Sequence, residues 1–95
     1  MKTSKTSDSN RRKISEKTKI CGEEVVLTFT LFGEILDKRE SYSLLIEEKG
    51  AINEEIFIED VTDSFEGAKE LFTLFYNEEV TPCSALYVLD DIMPI

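Results

Sequence analysis

Few side chains in this sequence have the types and spacing that chemistry requires. Cys83 follows Pro82 in "EEVTPCSALYVLDDIM", where a helix is expected to start. A thiol there lies near unpaired N–H groups, which together with the helix dipole favour the thiolate. Three features oppose a nucleophile. The chain contains no His, and no Lys or Arg stands within twelve residues of Cys83. Glu78 and Glu79 lie close by, and like charge disfavours a second anion. Cys83 is therefore expected to be a small apolar filler against a sheet. Without His, no Ser-His-Asp or Cys-His arrangement is open to the chain.

Asp90 and Asp91 form the second candidate. Two carboxylates can serve as general acid and base or bind a divalent ion. No Gly-rich loop and no third ligand at usable spacing accompanies them, so neither role is expected. Acids near a helix C-terminus oppose its dipole. A compensating contact is expected from Lys38, Arg39, the N-terminal arm or a partner.

The third candidate is Arg11-Arg12-Lys13. Residues 1–19 hold seven basic and two acidic side chains, a net +5, while the rest of the chain carries −14. Ile14 is the single apolar residue of that stretch beyond Met1. Such a segment buries too little surface to offset its ordering entropy, so residues 1–20 read as a disordered basic arm. Two readings of it stay open: a nucleic-acid arm centred on Arg11, Arg12 and Lys13, or a solvated tail resting on its own acidic domain. The domain itself, at residues 21–95, should repel nucleic acid.

These candidates need elements to position them. "EEVVLTFTLFGEIL" alternates, with Val25, Leu27, Phe29 and Leu31 on one face and Val26, Thr28, Thr30 and Phe32 on the other. "SYSLLIEE" places Tyr42, Leu44 and Ile46 together, and "EEIFIEDV" places Ile56 and Ile58 opposite Phe57. Period two with β-branched and aromatic residues predicts three strands. Gly33 is expected to mark a bulge or a strand end. Short connections favour an antiparallel meander.

The period then changes. "TDSFEGAKELFTLFYNEE" offers Thr62, Asp63 or Ser64 as N-cap, followed by Phe65, Ala68, Phe72, Phe75 and Tyr76 at helical spacing. A second helix is expected from Thr81 as N-cap and Pro82 at the first position. Its stripe is Leu86, Leu89, Ile92 and Met93, and Pro94 ends it. The fold class is α+β, a three-stranded antiparallel meander followed by two helices packed on one face (β-β-β-α-α).

Two helices cover one face of such a sheet. The other carries Leu45 and Phe57 with Phe32 and Val26, large groups for a solvent face. An apolar patch of this kind marks an interface. The expected function is a non-enzymatic protein-interaction or regulatory module that self-associates or binds a protein partner there. Nucleic-acid association through the arm is the alternative. No cofactor or metal is expected, since neither Cys21 nor Cys83 sits in a CxxC. With no apolar stretch resembling a leader or a membrane span, the cytoplasm and free thiols are expected.

"YSLLIEE", "EEIFIEDVTDSFEGAKELFTLFYNEEVTP" and "LYVLDDIM" together resemble a family of short uncharacterised proteins of clostridial Firmicutes, over about residues 42–93. Its most specific match is Val80-Thr81-Pro82 followed by Leu89-Asp90-Asp91. The resemblance implies the β-then-α architecture and a bacterial cytoplasmic setting, and brings no activity.

Overall fold

The computed structural model describes residues 11–36 and 38–92. The element order is β1 (Arg12–Ile20), β2 (Val25–Leu36), β3 (Arg39–Gly50), β4 (Glu54–Thr62), α1 (Phe65–Asn77) and α2 (Ala85–Ile92). The class is α+β with an antiparallel sheet and two helices, but the sheet has four strands in the order β1-β2-β3-β4.

The added strand corrects the expectation of a disordered arm running to residue 20. Residues 12–20 pair antiparallel with β2, from Arg12 opposite Gly33 to Ile20 opposite Val26. The arm's first ten residues lie outside the described part. A single bulge separates Lys13 from Ser15 and turns Ile14 toward the helix side, where it packs against the core. Gly33 is neither a bulge nor a strand end. It sits within β2, and a Cβ there would come within 2.9 Å of Ile14 Cδ1. Its missing side chain is what admits Ile14.

The period-two faces hold. Leu27, Phe29 and Leu31 of β2 and Tyr42, Leu44 and Ile46 of β3 are buried on one side of the sheet. Ile56 and Ile58 of β4 complete that layer. Helix α1 lies across β2, β3 and β4, burying Ala68, Leu71, Phe72 and Phe75. Ser64 is its N-cap, with Oγ accepting from the Gly67 N–H at 3.1 Å.

The helix ends in a Schellman motif. The Val80 N–H reaches the Phe75 carbonyl and the Glu79 N–H reaches that of Tyr76. Glu79 holds the left-handed conformation that such an end demands, at φ 53°, and Val80 is buried behind it.

Helix α2 begins later than Thr81-Pro82 predicts. Residues 82–84 form a turn. The Ser84 N–H bonds to the Thr81 carbonyl, and the Ser84 carbonyl accepts from Val88. Ser84 is thus the residue that opens the helix. Its inward stripe is rotated accordingly to Ala85, Val88 and Leu89. Leu86, expected inside, is 55% exposed. Met93, placed on the same stripe by the sequence, is outside the described residues.

Candidate functional site

The face of the sheet away from both helices is built from the alternate residues of each strand. In register across it, Lys13 stands opposite Phe32, Thr30 opposite Leu45, and Leu45 opposite Phe57. The structure therefore brings Phe32, Leu45 and Phe57 together, as their strand parity requires. The Phe32 and Phe57 rings meet edge-to-face, with centroids 5.9 Å apart, a geometry that adds about 1 kcal/mol to simple burial. Val26 lies on the same face but toward the opposite end, paired with Ile20 and Lys49. All four apolar residues are half-buried.

Arg11 closes one end of this patch. Its guanidinium carbon sits 4.4 Å from the centroid of Phe57. Its Nε donates to Glu34 Oε1 at 3.1 Å, and its Nη2 lies 3.5 Å from Glu59 Oε2. A planar cation stacked on a ring and held by two carboxylates is a fixed group rather than a searching one. Lys13, the third member of the basic triplet, is paired with Glu16 at 3.1 Å. Arg12 is exposed and aligned with Gly33, on the helix side of the sheet. The three basic residues are thus divided between two faces, and Arg11 and Lys13 already hold acids of their own domain. Sequence reasoning missed the Arg11–Phe57 contact because it placed Arg11 outside the fold.

Beyond Arg11 a polar belt borders the patch. Asp60 sits in a bulge of β4, at φ 53°, a left-handed position that Asp tolerates better than most residues. Arg39 grips its carboxylate with both Nη groups, at 3.2 and 2.9 Å. Ser41 Oγ donates to it at 2.7 Å, and the Asp60 N–H donates to Ser43 Oγ. The Arg39 hydrogen bonds, aided by Ser41, hold the Asp60 pKa down at about 2. Arg39 is thus paired with Asp60, and among the described contacts none joins it to the acids of α2. Among the described residues, Asp90 and Asp91 have no cation partner.

Cys83 differs from expectation as well. It lies in the turn before α2 and is exposed, so it is not the filler. That role falls to Pro82 and Ala85, both buried on either side of it. Cys21 is half-buried, and both thiols are free. Burial and the nearby Glu79 carboxylate raise the Cys21 pKa. Among the described residues, no group of three or more His, Cys, Asp or Glu is placed to hold a metal ion. No described helix is long and apolar enough to cross a membrane.

No curated protein and no solved structure matches the chain. A family model does match, over residues 11–94. That span starts at Arg11 and takes in all four strands and both helices, so it includes residues 11–20 of the stretch read from sequence as an arm. The chain belongs to a family of unknown function, DUF6514.

Proposed function

We propose that this domain is a non-enzymatic protein-interaction module, acting in the cytoplasm, whose helix-free sheet face receives a protein, foremost a second copy of the chain. The observation that carries the reading is the Phe32–Phe57 aromatic pair beside Leu45. Three large apolar side chains stand together on a face that neither helix covers, and aromatic clusters of this kind anchor interfaces. Arg11, stacked on Phe57, supplies the polar rim. The nucleic-acid reading is weaker, because Arg11 and Lys13 are paired with Glu34, Glu59 and Glu16.

Light scattering of the purified chain tests the reading, alongside Leu45→Glu, Phe57→Glu and the peripheral Val26→Lys. Association that is lost in these variants, with far-UV circular dichroism unchanged, supports it. If the wild-type chain stays monomeric at millimolar concentration, and no captured partner is released by any of the three substitutions, the reading fails.

A further inference from the structure

A second surface lies on the other side of the sheet and calls for a partner of different chemistry. Helix α2 and strand β4 leave between them a groove of about 220 Å³. Ile58 and Val61 of β4 and Leu86 and Leu89 of α2 form its apolar walls, and Asp90 stands at its rim. Two other acids also border it, but Glu59 faces Arg11 and Asp60 is gripped by Arg39. Asp90 has no such cation among the described residues. It also lies near the C-terminus of a helix whose last turn contains no basic residue. The negative ends of the peptide dipoles and the carboxylate therefore reinforce each other. Leu86, 55% exposed, adds uncovered apolar surface beside this charge.

We infer that this groove docks a segment of a partner protein that carries an apolar side chain next to a Lys or Arg. The apolar group would fill the space between Leu86, Leu89 and Ile58. The cation would meet Asp90 and the carbonyl end of α2 together, which offsets two unfavourable terms with one charge. A second copy of this chain is a poor occupant. Each copy carries a net charge of −9, so approach of two copies at this acidic rim is opposed. The most basic strand, β1, has Lys13 and Lys19 engaged with Glu16 and Glu79 of its own chain.

The probe is a short synthetic amphipathic helix made of Leu and Lys, titrated into the full isotope-labelled chain and followed by amide chemical shifts. Saturable binding should move the amides of residues 58–61 and 85–91. Asp90→Lys should weaken it about tenfold, a difference of about 1.4 kcal/mol, and Leu86→Ala severalfold. Glu23→Lys makes the same change in net charge at an exposed loop position and should leave affinity within about twofold. The inference is overturned if shifts spread evenly over the acidic surface, or if Asp90→Lys and Glu23→Lys weaken binding equally. It is also overturned if no saturable binding occurs, or if the groove amides move with protein concentration alone.

Discussion

Lys19, on strand β1, caps helix α1 at Tyr76. Its Nζ donates to the Tyr76 carbonyl at 3.2 Å and lies 4.8 Å from the centroid of the Tyr76 ring. The same ammonium is 3.4 Å from Glu79 Oε2. The last turn of α1 contains no basic residue of its own, so a strand more than fifty residues away provides the cation that the helix dipole favours. Lys19→Met keeps the aliphatic stem and removes the charge. It should lower stability by about 1 kcal/mol, read as a shift in the urea midpoint. Glu79→Gly should act in the opposite direction. Relief of the left-handed backbone strain is worth about 1 kcal/mol or more, while an ion pair this exposed contributes about 0.5 kcal/mol. A fall in midpoint for Glu79→Gly would show that the Lys19–Glu79 pair outweighs the backbone.

That contact also explains why β1 was the element hardest to read. The helix-side positions of β1 after its bulge are Ser15, Lys17 and Lys19, in register with Leu31, Phe29 and Leu27. A strand in this position ordinarily shows apolar residues there. Here the ammonium groups of Lys17 and Lys19 sit over Tyr76, 5.0 and 4.8 Å from its ring centre. A lysine ammonium over an aromatic face is held by the ring's quadrupole, a use that composition and period-two patterning do not register. Strands β2 to β4 were legible because one face of each is apolar at alternate positions: Leu27, Phe29 and Leu31, then Tyr42, Leu44 and Ile46, then Ile56 and Ile58. The Phe32–Leu45–Phe57 group followed from parity alone, whereas the Arg11 stack required knowing that β1 is part of the sheet. Cys83 was misplaced for a related reason: Thr81-Pro82 has the composition of a helix start, yet the Ser84 carbonyl accepts the first helical bond.

Deletions separate a strand from an arm. A chain beginning at Arg11 should keep the full circular dichroism signal and cooperative unfolding. A chain beginning at Cys21 should lose cooperativity, because β2 then carries an unpaired edge and the loss of Ile14, Lys17 and Lys19 leaves the core margin open. Equal unfolding midpoints for the two deletions would return residues 12–20 to the status of a tail.

Gly50 is fixed by backbone rather than by side chains. It ends β3 at φ +146°, and a Cβ there would fall 1.6 Å from the Glu24 carbonyl oxygen. No rotamer change can relieve a clash with backbone. Gly50→Ala should therefore cost about 3 kcal/mol or more, a large share of the stability of a domain this small. Gly22 makes the comparison clean: it too has positive φ, at +119°, but no atom lies within 4 Å of the place a methyl group would take. Gly22→Ala should cost only the conformational strain, about 1–2 kcal/mol. Thermal unfolding of the two variants side by side checks the ranking.

The two thiols should differ in reactivity. Cys83 is exposed in its turn. Cys21 is half-buried, its Sγ lies 3.8 Å from the Lys19 carbonyl oxygen, and its pKa is raised by burial and by Glu79. Titration with an aromatic disulfide in mildly alkaline buffer should show a fast phase lost in Cys83→Ser and a slower phase lost in Cys21→Ser. Glu79→Gln removes one cause of the raised pKa and should speed the Cys21 phase. Identical rates for both thiols would place Cys21 in a more open and less acidic setting than the structure gives it.

Asp60 should govern part of the acid limb of stability. Its folded pKa is about 2 against an ordinary 3.8, through Arg39 first and Ser41 second. A depressed carboxylate pKa contributes stability that is complete above the unfolded value and is lost as pH falls through the folded one. The window therefore runs from about pH 4 down to about pH 2. The contribution is modest, because the Asp60 side chain is 41% exposed and solvent screens its pair with Arg39. Asp60→Asn is the informative variant. Asn also tolerates the left-handed backbone that φ 53° requires, so the change isolates the charge. The wild-type urea midpoint should exceed that of Asp60→Asn at about pH 5, and the gap should close as pH approaches about 2. Asp60→Ala loses the backbone tolerance as well and should lie below Asp60→Asn at every pH. A gap between wild type and Asp60→Asn that stays constant across this range would mean that Arg39 and Ser41 bind Asp60 through geometry and not through its charge.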